Sequence, residues 1–286
     1  MTARSPRGAL PGVVVVTVVA GAGMVAVLAT SFGLMPLYGD PEPGLHGWRS
    51  AAPDLLAGIG ESLLIAVPAT SLAAAAGLGL AMLMLRGGRG AVAVRVACLV
   101  VLSVPHLVGA TSVALLLGDG GLAARVSAGA LGIEAWPPLV GGPWPVATVL
   151  ELAWKESAFV ALVVLASVAP GHAGRMQVAA ALGAGLRHRV TRVLLPTAGP
   201  ALAASSLVTL VYAVGNYEIA WILGRAAPEP LPVLAFRLFG SIELADRPAA
   251  AAAAVTGAAL ALLLTVPALV ALPRVRALVT RAQEVS

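Results

Sequence analysis

The chain has little charge. Only 11% of its 286 residues are charged, whereas a soluble domain carries about 25%. Hydrophobic residues make up 59%, and the mean hydropathy is +0.95. These values exclude an ordinary soluble protein and indicate a membrane protein. The net charge of +5 does not point to nucleic acid as a partner, because the arginines lie between apolar runs, where they set membrane orientation.

Cysteine and lysine are almost absent. Cys98 is the only cysteine, which excludes an intrachain disulfide and a multi-cysteine metal site. Lys155 is the only lysine and follows Trp154, so the Gly-Lys pair of a phosphate-binding loop is missing. Any ATP hydrolysis must therefore come from a partner subunit, and no cofactor is expected in this chain.

Motifs of intramembrane enzymes are also missing. The sequence has neither an H-E-x-x-H pair nor a G-x-S-x-G elbow. His46, His172 and His188 lie in predicted loops at unrelated spacings, so no metal site is predicted. We therefore expect a protein that is not an enzyme.

Long apolar runs dominate what remains. Spanning a bilayer takes about 20 apolar residues, and each span must be helical to satisfy its own backbone. The sequence predicts an all-α polytopic membrane protein with about six spans: 10–35, 57–85, 92–117, 146–169, 194–222 and 248–273. We divide the chain into an N-terminal helix and loop (1–54), a five-helix core (55–275) and a tail (276–286).

The first run has a second interpretation. Arg4 and Arg7 precede it, as in a signal peptide. Its apolar stretch of about 25 residues exceeds the 7–15 of a signal peptide, which favours a retained span. With the N-terminus inside, twelve of the seventeen arginines lie on the inner side, which predicts that both termini are cytoplasmic.

The longest inner loop, 171–193, departs from the apolar pattern. The sequence of this loop predicts a short helix over Met176–Leu182 and a turn at Gly183, followed by a basic stretch. Pro196 then falls in the first turn of the fifth span, where its missing N–H costs little. The segment predicts a surface helix followed by re-entry into the membrane.

The same loop resembles the E-A-A loop of ABC importer permeases, whose pattern is E-A-A, three residues, Gly, nine residues and I-x-L-P. The positions that match are Gln177, Val178, Ala179, Gly183, Val193, Leu195 and Pro196. Gln177 keeps the length of the family's Glu but loses its charge.

Two further segments extend the resemblance. Residues 60–86 look like the first conserved span of the family, and GNYEIAWILG (215–224) looks like the segment found in permeases of the polyamine, ferric-iron and sulfate type.

The resemblance implies a set of partners. The loop would be a coupling helix in a groove of a cytoplasmic ATP-binding subunit. A second permease subunit, an extracytoplasmic substrate-binding protein and a bacterial inner membrane are implied too. Arg187, Arg189 and Arg192 would contact either the ATPase or lipid headgroups.

Ionisable residues inside spans are functional candidates. Glu151 and Lys155 are four residues apart and share a helix face, so they either neutralise each other or serve the solute pathway. Glu156 is five residues past Glu151, about 140° round the helix, so one lysine is not expected to serve both carboxylates. The carboxylates of Glu61, Glu151 and Glu218 are predicted to lie at the same depth, in the outer third of the membrane. They form either an acidic vestibule for a cationic solute or part of the interfacial rim.

Three neighbouring polar residues complete the predicted pathway. Asn216 and Tyr217 flank Glu218 and would line the same path, unless Tyr217 is an interfacial anchor. His106 follows Pro105, where a kink is expected. It would either form a structural hydrogen bond or contact the solute.

The sequence therefore favours a permease subunit of an ATP-driven importer, with a small cation such as a polyamine as solute. The alternative is a secondary transporter that uses the intramembrane carboxylates for ion or proton coupling. Dependence on an ATPase or on an ion gradient separates the two.

Overall fold

A computed structural model describes residues 10–37, 39–133 and 135–284, and within them every regular element is helical. The α-helices are α1 (Leu10–Ser31), α2 (His46–Leu85), α3 (Gly88–Ser103), α4 (His106–Leu117), α5 (Leu122–Leu131), α6 (Val146–Val168), α7 (His172–Ala181), α8 (Leu186–Arg189), α9 (Leu195–Gly215), α10 (Glu218–Leu223), α11 (Leu231–Phe239) and α12 (Arg247–Glu284). A π-helical turn, Val190–Leu194, joins α8 to α9, and a 3₁₀ turn, Leu244–Asp246, precedes α12.

Five of the helical segments are long and apolar enough to cross a membrane. A sixth is added if α6 and α7, which meet at a 68° bend, count together as one span. The predicted all-α polytopic fold is confirmed, and the predicted six spans equal the upper count.

Helix α6 lies at the centre of the bundle. More than half of its residues are buried, and it packs against α2, α3, α4 and α9. Its closest approach is to α2, where a Cβ on Gly77 would lie 2.7 Å from Cβ of Val160. Because Gly77 has no side chain, the two backbones come together as small residues permit in membrane helices.

Helix α2 begins earlier than the predicted span. The apolar run suggested 57–85, but the helix starts at His46. Its first turns are helical because Ala51 and Leu55 pack into a buried cluster with Leu231 of α11 and Ala252 of α12. Helices α5 and α11 lie between the predicted spans, where no helix was predicted.

Two predicted spans are broken helices. The third is divided between α3 and α4, and Pro105, where a kink was expected, caps α4 with an extended ψ of 144°. The fifth is divided between α9 and α10, with Asn216 extended at ψ 123°. The second break was not predicted, although Gly215 and Asn216 are residues that commonly end a helix.

The described residues begin and end in helices, α1 and α12. The most apolar 18-residue stretch of helix α1 contains no buried residue, and the helix packs against α12. This arrangement fits an apolar helix at the lipid edge of the bundle. The predicted tail continues α12 as far as Glu284. Arg4 and Arg7 lie outside the described residues.

Candidate functional site

Two carboxylates of α6 flank the imidazole of His106, the first residue of α4. Nδ1 of His106 lies 3.7 Å from Oε1 of Glu151, and Nε2 lies 3.7 Å from Oε1 of Glu156. The two glutamates are five residues apart, about 7.5 Å along the helix. His106 therefore bridges them, and we call these three side chains the bridged cluster.

Glu151 is the most enclosed member of this cluster. Its side chain is 0% exposed, and neither carboxylate oxygen has a hydrogen-bond partner. Gly109 of α4 leaves room for it, since a Cβ at that position would lie 2.6 Å from Oε1. A buried carboxylate without donors costs several kcal/mol. The site is therefore an unusual place for a negative charge.

Lys155 does not neutralise Glu151, although the two share a helix face. Its Nζ donates to the carbonyl oxygens of Val101, at 3.2 Å, and Val104, at the C-terminal end of α3. The pairing expected from the sequence is therefore replaced by a cap on the broken helix, where the dipole is negative and attracts a cation.

Helix α9 contributes the polar neighbours of the cluster. Thr209 donates to Oε2 of Glu156 at 3.2 Å, and the Tyr212 ring lies 4.9 Å from that of His106. Asn216 donates to the hydroxyl of Tyr212 at 3.0 Å and accepts from the N–H of Ile219 at 3.0 Å. Asn216 thus links the cluster to the first turn of α10.

The predicted acidic vestibule of Glu61, Glu151 and Glu218 is not assembled by the described contacts. Glu61 is 3% exposed and forms a two-point ion pair with Arg225, through Oε1 at 3.2 Å and through Oε2. Arg225 also donates to the carbonyl of Pro143 at 2.8 Å. Glu218 is exposed. Of the three, only Glu151 joins the bridged cluster.

Tyr217 belongs to an aromatic group rather than to that cluster. Its ring lies 4.3 Å from Phe236 and 5.8 Å from Trp221, and both partners are about half exposed. Exposed aromatic rings on apolar helices are typical of membrane interfaces.

The segment that links α6 to α9, His172–Leu194, includes α7 and α8 and carries the predicted loop motif. We call this segment the connection. Gly183 has φ +80°, and the N–H groups of Gly183 and Ala184 donate to the carbonyls of Ala180 and Ala179. This pair of bonds is the Schellman motif, which ends a helix with a left-handed residue that is usually glycine. The glycine of the pattern is therefore required by the backbone.

The helix before that glycine presents its surface away from the chain. Helix α7 has no buried residue, Gln177 is exposed, and Ala179 is half-buried. Val178 is 62% exposed and Leu182 83% exposed. Arg187 is exposed on the short helix α8. This helix offers apolar surface that its own chain does not cover.

Two contacts fix the connection to the spans. Arg175 donates to the carbonyls of Val168 and Pro170, both at 3.1 Å, across the bend between α6 and α7. Burial, and secondarily the charge of Arg175, lowers the pKa of His172 in the same bend.

At the other end, Leu194 is buried with Val164 of α6, and Pro196 lies in the first turn of α9 as predicted. Val193 is half-buried and Leu195 is 37% exposed. A force on α7 therefore reaches both α6 and α9.

Sequence reasoning did not identify Thr209, Tyr212 or Arg225 as site residues. Thr209, Tyr212 and Asn216 recur at three- and four-residue spacing, so they share a helix face, a signal that the sequence does contain. Arg225 carried no such signal, because its partner Glu61 is 164 residues away.

These features define an all-α polytopic membrane protein with a buried ionic cluster and an uncovered helix at one end. No family model matches the chain, and no curated protein matches it. Solved structures do share its fold.

One is a chain of the crystal structure of a bacterial alginate ABC transporter in complex with alginate pentasaccharide-bound periplasmic protein. It has a TM-score of 0.74 and 17% identity over 93% of both chains. Another is a chain of the crystal structure of a bacterial ABC transporter involved in the import of the acidic polysaccharide alginate. It has a TM-score of 0.73 and 18% identity over 93% of both chains. At this identity the likeness shows the fold.

Proposed function

We propose that the chain is a membrane permease subunit of an ATP-driven, binding-protein-dependent ABC importer. It forms part of the solute pathway and carries out no chemistry on the solute. A separate cytoplasmic subunit binds and hydrolyses ATP, and a second permease subunit and an extracytoplasmic binding protein complete the assembly in the bacterial inner membrane.

The observation that carries this proposal is the structure of the connection, the segment His172–Leu194 that includes α7. Its helix exposes Val178 and Leu182, ends at Gly183 in the Schellman motif and is tied to α6 and α9. An exposed apolar helix face marks an interaction site. A rigid attachment to two spans is what transmits closure of an ATPase to the pathway.

The shared fold supports the same assignment. Both solved structures come from bacterial ABC transporters, and the alignment covers 93% of each chain. The E-A-A-like spacing from Gln177 to Pro196 is a separate observation, because it rests on sequence alone.

For the solute we propose a small cation such as a polyamine. The segment 215–224 resembles permeases of the polyamine, ferric-iron and sulfate type, and the bridged cluster holds two carboxylates. The solute of the structural neighbours is an acidic polysaccharide. Buried carboxylates would repel such a solute, so the buried charge favours a cation for this chain.

The bridged cluster also favours a second candidate, a secondary transporter coupled to protons or ions. Buried ionisable groups between helices are typical of proton relays in such transporters. Uptake that proceeds without an ATPase and stops when an ionophore collapses the ion gradient would support this candidate.

Co-purification tests the first proposal. The tagged chain is expressed with its genomic neighbours, extracted in mild detergent, and its retained partners are identified by mass spectrometry. We expect a soluble ATPase to be retained by the unchanged protein and reduced at least tenfold by Gly183→Ala. An Ala at φ +80° costs about 1–2 kcal/mol and tilts the end of α7.

Gly185→Ala is the matched control, because Gly185 lies two residues away, has no positive φ and has open space around its Cβ position. It should retain the ATPase. Leu182→Ser probes the surface itself and should also weaken retention. A chain that purifies without any ATPase, or a complex equally tolerant of both glycine changes, would contradict the coupling role.

A further inference from the structure

We propose that the bridged cluster is an exchange site for one positive charge, held either as a proton on His106, Glu151 or Glu156 or as the ammonium group of a solute. This inference rests on the proposed function, since it assigns the cluster to the pathway of a cationic solute. It adds that solute and proton compete for the same place.

The charge balance of the cluster leads to this conclusion. Glu151 and Glu156 carry two negative charges when ionised, and Lys155 supplies one positive charge on the same helix. The opposite partial charges of the α3 and α4 helix ends at the break offset each other. One positive charge is therefore missing for neutrality, and a proton on the cluster supplies it.

Among the residues that the structure describes, no other ionisable group supplies that charge. Tyr212 of α9 faces His106 but forms no cation, and Glu218 at the start of α10 is negative. On α2, Glu61 is already paired with Arg225, and on α3, Cys98 packs in an apolar cluster with Ala158. The missing charge must come from within the cluster or from a ligand.

The cluster contains acceptors for that ligand. Both oxygens of Glu151 are fully buried and, among the described residues, have no hydrogen-bond donor, and Nδ1 of His106 also lacks a partner there. The 3.7 Å separations exceed hydrogen-bond length, so neither carboxylate is hydrogen-bonded to the imidazole. A cationic group that entered here would satisfy oxygens that the protein leaves unsatisfied.

The His106 side chain is the accessible edge of the cluster. It is 26% exposed, whereas Glu151 is fully enclosed. An ammonium group that approached from that edge would meet the imidazole first. Charge balance then requires that one proton leaves the cluster as one ammonium charge enters it.

Proton release measures this exchange directly. The purified full chain, in lipid nanodiscs and weak buffer at pH 7, receives 1,4-diaminobutane while a pH indicator reports free protons. We expect release of one proton per chain at saturation. Glu156→Gln should abolish the release, because removing one carboxylate makes the cluster neutral without a proton. Equimolar 1,4-butanediol, and sodium chloride at equal ionic strength, should release none.

Infrared spectroscopy of His106→Gln supplies an independent reading. Without the imidazole, the missing charge can be supplied only by a protonated carboxyl, whose C=O stretch is separate from that of a carboxylate. We expect this band in His106→Gln, its loss on addition of 1,4-diaminobutane, and its absence from the His106→Gln/Glu156→Gln double variant. Glu61→Gln is the control that should leave the band unchanged, since Glu61 is paired with Arg225.

Three results would each overturn the exchange site: no proton release from the unchanged chain, equal release with sodium chloride, or no carboxyl band in a folded His106→Gln protein. These measurements use the chain without an ATPase, so their failure is distinct from failure of the importer assignment. If an ATPase co-purifies but 1,4-diaminobutane releases no proton, the importer assignment stands and the exchange site is refuted. An amine response without any ATPase would point to the secondary transporter.

Discussion

Replacing Gly77 tests how closely the two central helices pack. A Cβ at this position would lie 2.7 Å from both Cβ and Cγ1 of Val160 and 2.9 Å from the carbonyl oxygen of Ser157. Contacts below 3.0 Å are essentially never seen for a real Cβ. Because a Val Cβ and a backbone carbonyl cannot move aside like the end of a flexible side chain, α2 and α6 must separate to admit even a methyl group.

The magnitude follows from comparison with a neighbour. Gly79, two residues away on α2, is exposed and has open space at its Cβ position. Replacing either glycine by Ala gains up to about 1 kcal/mol of helix propensity. The gain cancels when the two variants are compared. The remaining difference is the cost of overpacking, about 1–3 kcal/mol in favour of Gly79→Ala.

The chain contains its own reporter for the assay. Cys98 is the only cysteine, is 3% exposed and packs against α6 residues. A dye that fluoresces on reaction with a thiol therefore reports unfolding of the detergent-solubilised protein during heating. With about 2–4 °C per kcal/mol for a protein of roughly this size, Gly77→Ala should unfold about 2–12 °C below Gly79→Ala.

A further substitution identifies the clash as the cause. Val160→Ala removes Cγ1, one of the three atoms that the new Cβ would meet, so the Gly77→Ala/Val160→Ala double variant should be more stable than the sum of the single changes predicts. Equal unfolding temperatures for Gly77→Ala and Gly79→Ala would refute the close approach of α2 and α6.

Two other predictions concern the charged groups at either end of the bundle. Arg225→Gln leaves the buried carboxylate of Glu61 unpaired and should cost about 3 kcal/mol, which Glu61→Gln should restore in the double variant. Arg237→Gln breaks the more exposed pair with Glu229 and should cost about 1 kcal/mol or less in the same thermal assay. An equal loss of stability in Arg225→Gln and Arg237→Gln would contradict the larger cost expected for Arg225→Gln. At the α6–α7 bend, burial lowers the pKa of His172 below its ordinary value of about 6.5, so the folded bend binds protons less readily than the unfolded one. Its stabilising contribution is present above pH 6.5 and is lost as pH falls below it. Limited proteolysis at the bend should therefore accelerate between pH 7.5 and 5.5 in the unchanged chain, and less so in His172→Gln, with His188→Gln as the matched control.

The sequence was sufficient for features that depend on local composition. Apolar length placed every predicted span on helical segments, and Gly183 and Pro196 fall at the turn and the first helical turn that their chemistry favours. Pro105 likewise marks the break between α3 and α4. In each case the deciding interaction lies within a few residues along the chain.

Features that depend on distant partners were not predictable in the same way. Spacing alone paired Lys155 with Glu151, because i and i+4 residues are neighbours on a helix. In the folded chain the ammonium group of Lys155 lies at the C-terminal end of α3, because the break at Val104 leaves carbonyl oxygens that attract a cation. Helix periodicity contains no information about such a break in a neighbouring helix.

The break also explains why Lys155 does not pair with Glu151. Had α3 and α4 formed one continuous helix, the Val101 and Val104 carbonyls would have bonded within it, and Lys155 would have been free to pair with Glu151. Pro105 prevents this by interrupting the helix, so a single local signal directs Lys155 to α3 and leaves Glu151 beside His106. The number of charged groups is the same in both arrangements, so the break decides where the positive charge of Lys155 lies and not how much charge the site holds.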